Sequence, residues 1–247
     1  MTKSKPFRTR LKIALAVTVL FAVMGWLVVF PVYQRHRAIV EIILRVDGSI
    51  DRETSGPQWL RQWGIKFDHV DKVNLAGTNI TDNGLRHFNG LTNLTALYLG
   101  QTNITDDGLK HLSRLANLES LNLSGTQISD EGLKHLSSLT NLKSLLLDGT
   151  HVSDDGLKRL SSLTNLMWLI LNDTHVSDDG LQHLTGLTRL ETLYLGETNI
   201  TDDGLKHLSR LTNLVTVHTP SDSSFHRSGN LRHLVHDWDV RDSSGIA

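Results

Sequence analysis

The stretch Leu94-Thr95-Ala96-Leu97-Tyr98-Leu99-Gly100-Gln101-Thr102-Asn103-Ile104-Thr105-Asp106-Asp107-Gly108-Leu109-Lys110-His111-Leu112-Ser113-Arg114-Leu115 decides the fold, because it is one period of a pattern that recurs every 24 residues. The glycines Gly84, Gly108, Gly132, Gly156, Gly180 and Gly204 stand 24 apart, and so do Leu94, Leu118, Leu142, Leu166, Leu190 and Leu214. Self-similarity at a fixed period of this length is the mark of a solenoid, in which each unit contacts only its neighbours.

Inside each unit the apolar period changes. Leu97 and Leu99 alternate with Ala96, Tyr98 and Gly100, the spacing of a short strand with one buried face. Leu109, Leu112 and Leu115 then recur at three, along one side of a helix. The Thr-Asp or Ser-Asp pair before that helix, as at Thr105-Asp106 and Ser129-Asp130, supplies a side-chain oxygen for its free amides. A unit is therefore strand, turn, helix. Its seven apolar positions (Leu94, Leu97, Leu99, Ile104, Leu109, Leu112, Leu115) cannot be enclosed by one unit. Stacked units bury them at about 1.5 to 3 kcal/mol per side chain, before the loss of conformational entropy. The predicted fold is α/β, a right-handed superhelix of strands and helices bent into a horseshoe arc. The threonines Thr78, Thr102, Thr126, Thr150, Thr174 and Thr198 form a column at the turn, where the hydroxyl can bond turn backbone in the same or the next coil.

The pattern LxxLxLxxTxIxDxGLxxLxxL across residues 70–217 is that of leucine-rich repeats, and with Thr in the column and Asp-Gly-Leu opening the helix it resembles their cysteine-containing and GALA-type subclass. The anchor-like segment described next, with Arg35-His36-Arg37-Ala38-Ile39-Val40-Glu41 and Gly56-Pro57-Gln58-Trp59-Leu60-Arg61, also resembles a group of bacterial single-span leucine-rich-repeat proteins. GALA-type relatives that recruit ubiquitin-ligase components carry an F-box before the repeats. Residues 34–69 show no such segment, so that adaptor role is not carried over.

Residues 1–12 form a basic tail with Lys3, Lys5, Arg8, Arg10 and Lys12, expected in the cytoplasm. Residues 13–33 follow as a transmembrane anchor: Ile13 to Phe30 is apolar without a charge, and about 20 residues suffice to cross the hydrocarbon layer. A cleaved signal peptide has an apolar region of about 7 to 15 residues ending in a small-x-small site. Here the run is longer and ends in the bulky Val28-Val29-Phe30-Pro31, which favours an uncleaved anchor. Trp26 and Tyr33 suit the far interface. The excess of basic residues before the span, against Arg35, Arg37 and Arg45 after it, places the N-terminus inside and the repeats outside the cell membrane.

Residues 34–69 are expected to hold a juxtamembrane helix, with the stripe Ile39, Ile42, Ile43 and Val46 and a stop at Asp47-Gly48-Ser49, then a short helix near Pro57 to Trp63. This segment serves as the N-terminal cap, with Trp59, Trp63 and Phe67 in its core. Residues 218–247 read as a C-terminal cap and tail: a turn from Thr219 to Ser224, a last helix from Asn230 to Trp238, and a frayed end.

Without cysteine the chain has no disulfide framework, thiolate zinc site or cysteine nucleophile. Setting aside the five basic residues of the tail leaves 20 basic against 26 acidic residues, a poor match to nucleic acid. The histidines His87, His111, His135, His183 and His207 occupy one helical column, interrupted by Arg159, but Lys110, Lys134, Lys158 and Lys206 stand beside them and oppose a metal. His151 and His175 read as turn residues, and His226, His233 and His236 with Asp237 and Asp239 carry no zinc-site pattern. No Gly-x-Ser-x-Gly, phosphate-loop or His-Glu-x-x-His motif occurs. We expect no enzyme activity, no cofactor and no metal.

Recognition is the remaining role. Two outward columns run along the strands: Lys72, Ala96, Ser120, Ser144, Trp168, Thr192, Thr216 and Asn74, Tyr98, Asn122, Leu146, Ile170, Tyr194, His218. Strands about 4.8 Å apart would bring Leu146, Trp168, Ile170 and Tyr194 into one patch on the concave face, with Tyr98 further along the same column. Asp148, Asn172, Asp173 and Glu197 follow at the strand exits and give it an acidic rim. Clustered exposed aromatic and aliphatic groups mark a contact surface. The expected ligand is a protein or peptide partner, or an envelope polymer. Two other readings fit the same sequence: a passive envelope spacer, and an intracellular adaptor with the orientation reversed.

Overall fold

A computed structural model describes residues 48–55, 67–219 and 225–226. The membrane anchor at 13–33, the basic tail, the expected helices near 34–46, 57–63 and 230–238, and Trp59 and Trp63 lie outside the described residues. No described helix is long and apolar enough to cross a membrane.

Among the described residues, nine strands form one sheet in chain order. The middle seven are parallel: β2 (Phe67–Asn74), β3 (Ala96–Tyr98), β4 (Ser120–Asn122), β5 (Ser144–Leu146), β6 (Trp168–Ile170), β7 (Thr192–Tyr194) and β8 (Thr216–His218). Their register is offset by one unit at every step, so Leu97, Leu121, Leu145, Leu169 and Leu193 stack as Cα partners with no exposed surface. Backbone bonding continues past each strand into the turn, as in Leu99 N–H to the Asn122 carbonyl (2.8 Å) and Gln101 N–H to the Ser124 carbonyl (2.7 Å).

Each strand from β2 to β7 returns through one α-helical turn followed by a 3-10 segment. The α-turns are α1 (Asp82–Leu85), α2 (Asp106–Leu109), α3 (Asp130–Leu133), α4 (Asp154–Arg159), α5 (Asp178–Leu181) and α6 (Asp202–Leu205). The helix expected from Leu109, Leu112 and Leu115 is therefore only briefly α: Lys110–Leu112 is 3-10, whose three residues per turn match the spacing of those leucines. All seven apolar positions of the quoted unit are fully buried.

The columns that repeat most strictly are hydrogen-bonded, the threonines within a coil and the aspartates between coils. Each threonine hydroxyl donates to the carbonyl three residues earlier in its own coil, from Thr102 to Leu99 (2.6 Å) through Thr174 to Leu171 (2.7 Å). Thr102, Thr126, Thr150 and Thr174 are buried, so this bond removes an otherwise unmet polar group.

The Asp of the Ser-Asp pair has a larger part than helix capping. Asp106 accepts the Ser129 amide on Oδ1 (2.8 Å) and the Ser129 hydroxyl on Oδ2 (2.6 Å), a two-pronged rung to the next coil. The same rung joins Asp82 to Thr105, Asp130 to Ser153, Asp154 to Ser177 and Asp178 to Thr201. Capping by the hydroxyl, expected for every unit, occurs at Thr105, Ser129 and Thr201 but not at Thr81, Ser153 or Ser177. In Ser153 and Ser177, as in Thr105, Ser129 and Thr201, the hydroxyl proton is directed at the preceding coil's carboxylate.

The rung also accounts for the glycine column from Gly108 onward. A Cβ at Gly108, Gly132, Gly156, Gly180 or Gly204 would come within 2.1–2.4 Å of Oδ1 on the preceding coil's Asp. A second ladder runs along the coil's other corner, where Asn117, Asn141, Asn165 and Asn213 each donate to a carbonyl 25 residues back at 2.8 Å.

Antiparallel strands, which the sequence pattern does not predict, flank the parallel array. β1 (Ser49–Ser55) pairs antiparallel with β2, covering that edge of the parallel array, and Phe67 opens β2. At the other end β9 (Phe225–His226) returns antiparallel along β8. An edge strand paired in this way no longer offers its backbone groups to another chain.

Candidate binding face

Strand alternation turns residue 169 inward and residues 168 and 170 outward. Leu169 is buried while Trp168 and Ile170 are half-buried. The register aligns Leu146, Ile170, Tyr194 and His218 across β5 to β8, with Trp168 two residues before Ile170 on β6 and flanked by Ser144 and Thr192. At about 4.8 Å per strand the apolar row spans roughly 14 Å. Tyr194 and His218 stack, with ring centroids 4.1 Å apart and planes 14° from parallel. His218 therefore adds an aromatic surface that the sequence offered only as one more member of a column. Tyr98 lies on β3, separated from Leu146 by Asn122 on β4, and does not join the patch.

The expected acidic rim divides in two. Asp148 is occupied within the fold: Oδ2 accepts the Ser124 hydroxyl (2.8 Å) and Oδ1 accepts the Asn172 side-chain amide (2.8 Å). Asn172 in turn accepts the Gly196 amide at 2.7 Å. These groups form a chain across four coils, and Asp148 belongs to it rather than to a free rim. The sequence signal that could have shown this is the run of hydrogen-bonding side chains at one offset, Ser124, Asp148 and Asn172.

Asp173 and Glu197 are different. Both are exposed, and both stand in the left-handed region, with φ of 50° and 54°. Gly77, Gly125 and Gly149 fill the equivalent turns at φ of 59–69°, and Gln101 is the third non-glycine there. Among the described residues, neither carboxylate takes a hydrogen bond or an ion pair.

The helix side carries compensated charge. Lys110 pairs with Asp107, Lys206 with Asp203, and Lys134 with Glu131 (2.5 Å). These exposed pairs contribute little to stability. Of the histidine column, His135 is held below its usual value by burial first and then by Lys134 and Lys110. His151 and His175 stack with centroids 6.3 Å apart. Among the described residues no group of three or more His, Asp or Glu could hold a metal ion. A surface depression lined by Ser129, Asp130, Glu131, Asp155, Lys158 and Arg159 also lies on this side, away from the patch.

Residues 68–128 match the family model described as leucine-rich repeat, and residues 187–209 match a second model of that description. The described coils are leucine-rich repeats, a class for which protein–protein binding is a general role. No curated protein matches the chain. Among solved structures it is similar to an internalin (inlF) from Listeria monocytogenes, at 28% identity over 59% of this chain and 46% of that one, with a TM-score of 0.45. It is also similar to internalin C2 (inlC2) from the same organism, at 24% identity over 61% of this chain and 80% of that one, with a TM-score of 0.41. The chain thus spans less than half the length of the first of these.

Proposed function

We propose that this chain is a non-enzymatic recognition module, tethered by residues 13–33 to the cell membrane with its N-terminus in the cytoplasm and its repeats outside. It holds a protein, peptide or envelope polymer against its strand face. The observation that carries this reading is the half-exposed row of Leu146, Trp168, Ile170 and Tyr194, set in register on adjacent strands whose buried neighbours already fill the core. Aromatic anchors in such a row are the usual source of binding energy at protein interfaces. The tether rests on the uncharged run Ile13 to Phe30, and the orientation on the basic residues before it. Placement in the GALA-type subclass rests on the Thr column and the Asp-Gly-Leu opening, in a chain that itself has no cysteine.

The test is crosslinking in intact cells with wild-type chain and with the double variant Trp168→Ala/Tyr194→Ala. We expect a discrete partner in the first and its loss in the second, with the melting profile retained. Equal capture by both would remove the face from the mechanism. Protease shaving of intact cells checks the topology: repeats that survive it lie inside.

A further inference from the structure

We propose that the β5 to β8 half of the strand face takes an extended segment of a partner protein in which an aliphatic or aromatic residue lies next to Lys or Arg. The apolar row receives the first, and the Asp173 and Glu197 carboxylates receive the second. This rests on the reading above and names the partner's chemistry.

Three observations converge. The apolar row is continuous in one half of the face only; towards β2 the corresponding positions are Lys72, Asn74, Ala96, Tyr98, Ser120 and Asn122, where Tyr98 stands between two asparagines. Beside the apolar half, two rim carboxylates, Asp173 and Glu197, take no partner among the described residues. Asp148 is occupied by internal hydrogen bonds, Lys143 pairs with Glu119 at 2.8 Å, and Arg189 donates to Asn165, so among the described residues no Lys or Arg answers Asp173 or Glu197. Charge complementarity therefore calls for a cation from outside.

The third observation is where those carboxylates stand. Their turns need positive φ, which glycine adopts without strain and which it supplies at Gly125 and Gly149 on the neighbouring coils. The array departs from glycine at Gln101, Asp173 and Glu197, and the two acidic departures fall at the exits of the strands that present Ile170 and Tyr194. Strain of this kind supports a functional reading only beside the geometry above.

The branched side chains of Leu146 and Ile170 offer a sugar neither a flat ring nor a hydrogen bond, so the centre of the row suits an apolar side chain better than a glycan. Two carboxylates at the rim repel a phosphate backbone.

The experiment pans the full-length chain against a displayed library of random linear peptides at low salt. Parallel selections use Asp173→Gly/Glu197→Gly, Asp173→Asn/Glu197→Gln and Trp168→Ala/Tyr194→Ala. Each variant is first shown to melt cooperatively; glycine at these turns is expected to keep or raise the melting temperature. Wild-type chain should enrich peptides that pair an apolar residue with Lys or Arg. Their affinity should fall about tenfold in both rim variants and with added salt, and vanish in the Trp168/Tyr194 variant.

Peptides that need Trp168 and Tyr194 but show no basic enrichment, or bind the rim variants equally, would overturn this inference and leave the recognition face standing. No enrichment at all, or binding indifferent to Trp168 and Tyr194, would overturn both. Capture of soluble glycan strands instead of peptides, lost in the Trp168/Tyr194 variant, would keep the face and reject the basic segment as its occupant.

Discussion

Within a single coil, the corner that carries the Asp rung and the strand face that carries Trp168 obey opposite rules. At the corner the chemistry is repeated: Asp106, Asp130, Asp154 and Asp178 each meet the hydroxyl and amide of the next coil's Ser or Thr, over a glycine that leaves them room. On the outward strand positions no single residue type is kept, from Lys72 through Ala96, Ser120 and Ser144 to Trp168. Positions that must satisfy a neighbour of the same kind converge on one residue; positions that face outward are free to differ. Stability lives in the first set and specificity in the second.

The sharpest way to break this division is to substitute adjacent residues of β6. Leu169→Ala opens a cavity in the fully buried spine and should cost about 2 to 5 kcal/mol. Trp168→Ala, one residue away on the outward face, should change stability by about 0.5 kcal/mol or less. Chemical denaturation of the two variants measures the contrast, and similar losses would show that the face belongs to the core.

A smaller contrast separates two glycines. Gly156→Ala drives a methyl to 2.3 Å from Asp130 Oδ1 and should displace that rung, at about 1 to 3 kcal/mol. Gly186→Ala meets nothing within 4 Å in the 3-10 segment Gln182–Gly186 and should be neutral or slightly stabilising. Thermal melts that fail to separate them would mean the rung contributes nothing.

The smallest effect is in pH. The Thr201 hydroxyl, and then its amide, hold the Asp178 carboxyl below its ordinary value of 3.8. A folded-state value lower than the unfolded one adds stability above the unfolded value. That addition is lost as the pH falls through the lowered folded value. The melting temperature of Asp178→Asn should therefore decline less in acid than that of the wild-type chain. Parallel declines would dissociate the rung from acid stability.

Much of this was legible before the structure. Period-two leucines fixed the strands, and the 24-residue spacing fixed their register, so the columns of Trp168 and Ile170 stand where the pattern put them. The Thr column was readable because a buried hydroxyl beside a sharp turn has few partners other than its own backbone.

Other features were not. Leu109, Leu112 and Leu115 mark a face without stating the helix type, and only the hydrogen bonds distinguish α from 3-10. The Asp rung was missed because local capping explains the same Ser-Asp pair, while its true partner lies 23 residues away. The polar β1 segment, Ser49 to Ser55, lacks the alternation of a strand with a buried face, and its edge position comes from pairing with β2. At the site the apolar row was foreseen, but its rim was read as uniform. Residue type alone does not separate Asp148, spent on its neighbours, from Asp173, which is not; only the shared offset of Ser124, Asp148 and Asn172 does.

The interval of the rung has a consequence for how such a chain can change length. Because each carboxylate reaches a partner 23 residues on, gaining or losing one residue within a coil throws the joints on both of its sides out of step. A duplication of a whole 24-residue unit keeps every joint closed and adds one strand of unassigned outward residues. The array is thus built to grow by complete storeys, each arriving with its attachments fixed and its window blank.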